Sequence, residues 1–302
     1  MKILLTGAGG QLGRELMEQG PPRGLSFLAP PHGRLDLADR AAAEKAVGAG
    51  GLDLVINAAA YTAVDEAESR PDLAMAVNRD GPANLAAACA RAGLPLIHLS
   101  TDYVFDGKQS RPYIETDPAV PLGVYGRSKA EGETRVRERL AEHLIVRTAW
   151  LYGAYGRNFV KTMLGLGRER TLLRVVDDQH GCPTYAADLA GVLLDMAVGL
   201  ANGRGPAWGT YHWCGLGVTT WYELARAVFD QAASRETFRL ERLEPIATSE
   251  YPTPAARPAY SALDSSRLSA WLGRRPPPWR ESLTRMIDRY YTLSSRAGYE
   301  VA

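Results

Sequence analysis

The sequence has little cysteine, little histidine and no block of one charge, and each shortage removes a class of function. Its three cysteines, Cys89, Cys182 and Cys214, lie far apart and form no Cys-x-x-Cys pair. Neither a zinc ribbon nor a dithiol centre is expected, and all three read as reduced packing residues. The five histidines are equally scattered; His98, inside the apolar run LPLIHLS, reads as a hydrogen-bonded strand residue and not as a ligand. The 35 basic and 34 acidic residues leave a formal charge of +1 spread along 302 positions. That balance argues against nucleic acid or a membrane surface as partner and leaves small anions in range. Long apolar runs are missing as well. Met1-Lys2 leads at once into Ile3-Leu4-Leu5 and a glycine loop, too short for a signal peptide or a membrane span, so a cytoplasmic protein is expected. Internal repeats and low-complexity tails are absent.

What is present is a chain with 46% hydrophobic residues, long enough for one large or two modest domains. Strand-like and helix-like segments alternate: KILLTG, a helix from about Gln11, LSFLAP, a helix near LADRAAAEKAV, LDLVINAA, then DLAMAVNRDGPANLAAACARAG, PLIHLST, SKAEGETRVRERLAE and HLIVRTAW. Near-continuous apolar strands between helices suit a parallel sheet covered on both faces, an α/β doubly wound (Rossmann) fold. The expected division is a dinucleotide-binding domain over 1–151, with return segments at about 185–217. A smaller, discontinuous substrate-binding domain is expected over 152–184 and 218–302. Pro252, Pro254 and Pro258 mark an irregular stretch suited to a binding loop.

LTGAGGQLGREL sets Gly7, Gly10 and Gly13 directly after a strand and at the opening of a helix. Missing side chains there allow a tight turn, close approach of a pyrophosphate to backbone amides, and tight helix–strand packing, while the helix N-terminus favours the anion. Gly7, Gly9, Gly10, Gln11, Leu12 and Gly13 are therefore the expected cofactor cradle. An acid that would bind the adenosine ribose is missing near Ala29. Instead His32 and Arg34 follow, and a guanidinium suits the 2′-phosphate of NADPH, so NADPH is favoured over NADH. Asp36 and Leu37 are placed to meet the adenine edge; Asp36 equally suits a helix cap.

Lysine is rare here, yet VYGRSKAEGE places Lys129 four residues after Tyr125, one helical turn away. An ammonium beside a phenol lowers the phenol's pKa and can bond a nicotinamide ribose. Arginine, a planar fork, fits that compact three-donor role less well. Ser100, Thr101 and Asp102 follow at the end of the strand PLIHLST, where ligands of open α/β sheets gather. Thr101 suits the reacting oxygen and Asp102 a sugar hydroxyl, although such residues also close strands by turn chemistry. The candidate catalytic set is Thr101, Tyr125 and Lys129.

With LLTGAGGQLG, VINAAAYTAVDEAE, AVNRDGPANLAAAC, LSTDYVFDG, VYGRSKAEGE, VRTAWLYG, NFVKTML, DDQHGCPT and RPAYSALD in order, nearly the whole chain resembles the extended short-chain dehydrogenase/reductase family. The likeness is strongest to the branch that reduces the C4 ketone of dTDP-4-dehydro-β-L-rhamnose to dTDP-β-L-rhamnose. The resemblance implies hydride from the nicotinamide to C4 and a proton from Tyr125. It implies cofactor contacts from Ala58, Ala59, Ala60 and Val64, and sugar-nucleotide contacts from Thr101, Asp102, Trp150, Asn158 and Phe159. Gln179, Pro183 and Thr184 would form the loop over the nucleotide, and Arg257 would bind the diphosphate.

Two departures stand out: Tyr61 replaces a common histidine and Tyr260 a common asparagine. Some relatives dimerise through a magnesium site built from glutamates; Glu15 is kept but Ala187 stands where a second ligand is expected, so no metal is expected, and a homodimer stays open. Another sugar-nucleotide epimerase, dehydratase or reductase of the superfamily is the alternative, or a non-catalytic regulatory subunit. A dehydratase needs a second carboxylate where this chain has Tyr103 after Thr101-Asp102, and an intact Thr101, Tyr125 and Lys129 set speaks for catalysis.

Overall fold

Short apolar strands alternating with longer amphipathic segments dictate a layered arrangement. The computed structural model describes residues 1–31 and 33–296. The first half runs β1 (Lys2–Thr6), α1 (Gln11–Gln19), β2 (Ser26–Leu28), α2 (Arg40–Val47), β3 (Leu54–Asn57), α3 (Val64–Ser69), α4 (Pro71–Met75), a π-helical turn (Ala76–Asp80), α5 (Gly81–Ala92), β4 (Leu96–Thr101), α6 (Val124–Arg139) and β5 (His143–Thr148). The second half continues with β6 (Leu151–Tyr152), α7 (Phe159–Glu169), β7 (Leu172–Val176), β8 (His180–Gly181), β9 (Thr184–Tyr185), α8 (Ala186–Ala201), β10 (Gly209–His212), β11 (Thr219–Thr220), α9 (Trp221–Ala232), β12 (Arg242–Ile246), α10 (Ser266–Leu272) and α11 (Trp279–Arg296).

Six strands pair in the order β2-β1-β3-β4-β5-β10, all parallel. Side chains alternate across that sheet with the strand period of two. Ile3, Leu5, Ile56, Ile97 and Val146 face α1 and α8 through Leu12, Leu16, Leu189 and Leu193. Leu4, Val55, Leu96 and Ile145 face α2, α5 and α6 through Val47, Leu85 and Val136. The chain order reverses between β2-β1 and β1-β3, the position where open α/β sheets form a crevice at their carboxyl ends.

A separate core gathers Val160 and Leu164 of α7, Leu224 and Val228 of α9, and Leu283, Met286 and Ile287 of α11. Its strands are short: β7 pairs β12, β8 pairs β11 and β6 pairs β9. One piece of the late chain departs from the expected division. Leu268 of α10 packs into the sheet core, and Arg267 donates to the Thr210 carbonyl at 3.0 Å, so this helix covers the edge strand β10. The second strand is also shorter than LSFLAP suggests, and α2 starts only at Arg40. The cap is Asp39, which accepts from Ala41 and Ala42, whereas Asp36 closes the preceding turn by accepting from the Ala38 amide at 2.9 Å. Among the described residues no helix is long and apolar enough to cross a membrane.

Candidate active site

The glycine loop shows three different demands on three glycines. Gly7 has φ +74°, and a Cβ there would run into the backbone of Ala58 and Ala59 at the end of β3. At Gly13 a Cβ would collide with the Gly7 carbonyl and with Ala8, so α1 lies as close to the loop as a backbone permits. A Cβ on Gly9 would meet nothing within 4 Å. Gly10 opens α1 without any side-chain cap, unlike α2, α7 and α9, which are capped by Asp39, Asn158 and Thr220. The first-turn amides of α1 thus have no side-chain cap, which suits a dinucleotide diphosphate.

Around that loop the expected cofactor residues divide. Ala58 donates its amide to the Thr6 carbonyl, and Ala59 to the Asn57 side chain, which fixes the Ala58–Ala60 segment beside Gly7. Leu12 is buried and supports the loop from below. Gln11 reaches β6, donating to the Leu151 carbonyl at 3.3 Å. Arg34 is exposed and makes no ion pair among the described residues; His32 lies outside them. Leu37 is buried beside Gly81, so its side chain belongs to the core and not to an adenine edge.

Thr101 ends β4, and its hydroxyl donates to Asp102 at 3.0 Å and accepts from the Tyr103 amide. Tyr125, in the first turn of α6, is partly buried and meets Tyr103 edge-on at 5.6 Å. Burial pushes the Tyr125 phenol up to about 12; the Thr101 hydroxyl pulls it down and the Asp102 charge adds to the rise. Burial also raises Asp102 to about 6.

Lys129 is tied to the backbone of β4. Its ammonium donates to the Leu99 carbonyl at 2.6 Å, and burial lowers it to about 8, with Glu133 working the other way. Tyr125 is therefore held firmly protonated, the state an acid needs. Below Lys129, one further helical turn along α6, Glu133 forms a bidentate pair with Arg147 at 2.6 and 2.8 Å and a third bond from Arg137. Burial alone would raise this carboxyl; the two guanidinium groups instead hold it at about 2.

The sequence reading missed Asn78. It sits in the π-helical turn and donates to the Tyr61 carbonyl and the Ser128 hydroxyl, both at 3.0 Å. Ser128 in turn donates to the Tyr125 carbonyl at 2.8 Å, so Asn78 steadies the start of α6. One signal was available: Asn78 lies in AVNRDGPANL, where a helical run contains both Gly81 and Pro82.

The substrate candidates are all engaged with protein groups. Trp150 takes φ +45°, stacks on Trp221 with centroids 3.5 Å apart and packs tightly against Gly181. A backbone held in that region costs about 1–3 kcal/mol and persists only where its surroundings demand it. Phe159 packs beside the same pair. Asn158 caps α7, accepting from Lys161 and donating to the Gly153 carbonyl at 2.8 Å and to Gln11. Gln179 bridges Thr248 and Trp221, while Thr184 donates to the Cys182 carbonyl. Tyr260 lies against His180. Arg257 is not free for a diphosphate in this state: it pairs with Asp65 at 2.8 Å and lies over the Tyr103 ring. Val64, Tyr103, Tyr125, Ala255, Ala256 and Pro258 line a small cleft where these elements meet.

Glu15 is buried against Arg289 at 3.4 Å, and Asp188 is paired with Arg285. No three histidine, cysteine, aspartate or glutamate side chains gather to hold a metal among the described residues.

Parallel sheet, glycine loop and the Thr101, Tyr125 and Lys129 side chains at one sheet end define a dinucleotide-dependent oxidoreductase of the short-chain dehydrogenase/reductase class. Comparison with known proteins narrows this. The chain belongs to the family described as RmlD substrate binding domain, whose model matches residues 1–292. It is 47% identical over 305 residues to a dTDP-4-dehydrorhamnose reductase of Streptomyces griseus, covering 99% of this chain and 96% of the relative. A dTDP-4-dehydrorhamnose reductase structure from Clostridium acetobutylicum superposes with a TM-score of 0.89 at 40% identity, over 96% of this chain and 100% of the other. The Bacillus anthracis reductase, solved in complex with NADP, gives 0.87 at 37% identity over 95% and 99% of the two chains.

Proposed function

We propose that this protein reduces the C4 ketone of dTDP-4-dehydro-β-L-rhamnose to dTDP-β-L-rhamnose with NADPH. The observation that carries the proposal is Thr101 at the carboxyl end of β4 and Tyr125 in the first turn of α6, in a fold with an uncapped glycine-loop helix and a chain 47% identical to a reductase of that name. NADPH, when bound, supplies the hydride to C4. Tyr125, protonated at neutral pH, gives its proton to the oxygen that becomes negative. Thr101 orients that oxygen through its hydroxyl. Lys129, held on the Leu99 carbonyl by one N–H, presents a positive charge behind the site, and its remaining donors suit a ribose hydroxyl.

Arg34 is assigned to the 2′-phosphate of NADPH because it is exposed and pairs with no acid among the described residues. Arg257 is assigned to the substrate diphosphate, after leaving Asp65. Trp150 is assigned to the nucleotide-sugar pocket on its unusual backbone, and Asp102 to a sugar hydroxyl. The protein is taken as cytoplasmic and as binding no nucleic acid, on its balanced charge; a homodimer is compatible with all of these assignments.

The test is direct. Freshly generated dTDP-4-dehydro-6-deoxy sugar, supplied with a 3,5-epimerase, is offered to the purified protein while NADPH absorbance is followed. Oxidation of NADPH with formation of dTDP-rhamnose is expected. No oxidation, or turnover of the sugar nucleotide without net consumption of NADPH, would reject reduction in favour of an epimerase, dehydratase or binding role.

A further inference from the structure

The segment after β12 crosses from the second core to the nucleotide-binding sheet as a strap. Its near end is tied down: Thr248 bonds Asp178 through both amide and hydroxyl, and Glu250 pairs with Arg174. Its far end is held by one residue of the other half. Asp65, in the first turn of α3, accepts from the Ala255 amide at 3.1 Å and from the Arg257 guanidinium at 2.8 Å. Between these ties, Ala255, Ala256 and Pro258 form one wall of the cleft that contains Tyr103 and Tyr125. Ala255 is fully buried there, while 42% of the Asp65 side chain is exposed to solvent against 16% for Arg257.

The other acid beside the strap is engaged elsewhere, because Glu68 accepts from the Val124 amide at 2.8 Å and so fixes the start of α6. Asp65 is therefore the carboxylate that faces Arg257. One charged bond leads to Arg257 and a separate one to the strap backbone, so the two can be broken independently. A carboxylate and a diphosphate offer the same paired oxygens to a guanidinium.

We infer that Asp65 is a positioning residue that stands in for the substrate's diphosphate: it holds Arg257 at the cleft in the empty enzyme and gives it up when a nucleoside diphosphate enters. The inference rests on the assignment of Arg257 to the diphosphate. Asp65 keeps the strap in place throughout through Ala255 and competes with the ligand only through Arg257. The apparent affinity for a nucleoside diphosphate is then reduced by the fraction of enzyme in which Arg257 is already paired.

Titration of dTDP into four proteins, the wild type, Asp65→Asn, Arg257→Ala and the double variant, tests this, with thymidine as the ligand lacking phosphates. Asparagine still accepts from Ala255, so the strap stays anchored, and NADPH affinity reports an intact sheet domain. Asp65→Asn should tighten dTDP by roughly three- to tenfold, the scale of a partly exposed ion pair, and leave thymidine unchanged. In the Arg257→Ala background the same change should have no effect. Weaker or unchanged dTDP binding in Asp65→Asn, with Arg257→Ala still losing affinity, would overturn the stand-in role alone. No loss of dTDP in Arg257→Ala would overturn the diphosphate assignment and the stand-in role with it.

Discussion

The two halves of the crevice differ in how much they leave unpartnered. On the sheet side, Gly9 faces open space, α1 has no cap and Arg34 has no ion pair among the described residues. On the other side, Asn158 caps a helix, Trp150 is stacked, Gln179 is bridged and Arg257 is paired. A cofactor docking on the sheet side would meet groups without side-chain partners, while a diphosphate taken by Arg257 would have to displace Asp65. Preorganisation therefore favours the first ligand, and binding of the second carries a conformational cost.

The largest effect should come from the acid that both halves enclose. Tyr125→Phe is expected to lower turnover by about 10²-fold or more with NADPH affinity preserved; near-normal turnover would remove the residue from the chemistry. A pH series sharpens the assignment of Lys129, whose burial lowers its pKa from 10.5 to about 8. Between those values the unfolded chain binds a proton that the folded chain has released. Stability should therefore rise with pH through that window, while turnover falls above about 8 as the ammonium is lost. A turnover profile flat from pH 7 to 10 would rule out a working charge on Lys129.

The glycines break the comparison within one loop. Gly13→Ala sets a methyl group against the Gly7 carbonyl and should destabilise the protein by about 1–3 kcal/mol, with weaker NADPH binding. Gly9→Ala, where space is open, should leave the melting midpoint nearly unchanged and affect only cofactor affinity. Equal losses of stability at both positions would contradict this division of labour. Arg34→Ala should weaken NADPH by about tenfold and NADH hardly at all, since a bidentate phosphate contact is worth roughly 1.5–3 kcal/mol before solvent screening. Equal change for both cofactors would cancel the 2′-phosphate contact.

Much of the sheet side was legible because its signals are local. A glycine run after a strand, a Tyr-x-x-x-Lys at one helical turn and apolar strands of four to six residues each carry their own geometry. The partners of the same residues were less legible. Nothing near Lys129 in sequence announces that the Leu99 carbonyl, thirty residues away, holds its ammonium. Nothing near Arg257 announces Asp65, 192 residues earlier. Glu133 could have been noticed as the next position on the Lys129 face of α6, yet its ties to Arg147 depend on how β5 packs beneath that helix. Asp36 suits a cap because it precedes a helical pattern, but two aspartates precede that pattern and the structure selects Asp39.

The smallest effect separates scaffold from contact on the second side. Asn158 was a substrate candidate through NFVKTM, yet both ends of its amide are used: the oxygen accepts from the Lys161 amide, and the nitrogen donates to the Gly153 carbonyl and to Gln11. Loss of a helix cap typically costs about 1 kcal/mol. Asn158→Ala should therefore lower stability by about that amount while the KM for the sugar nucleotide stays within about twofold, because no polar group of Asn158 has to leave the protein when substrate binds. Asn158→Asp restores the acceptor toward Lys161 and removes the donor toward Gly153, so it should recover part of the lost stability. Denaturant unfolding and steady-state kinetics on the two variants read these quantities separately. A rise in KM of tenfold or more in Asn158→Ala, with unfolding unchanged, would return Asn158 to the substrate and show that this side, too, keeps a group in reserve for its ligand.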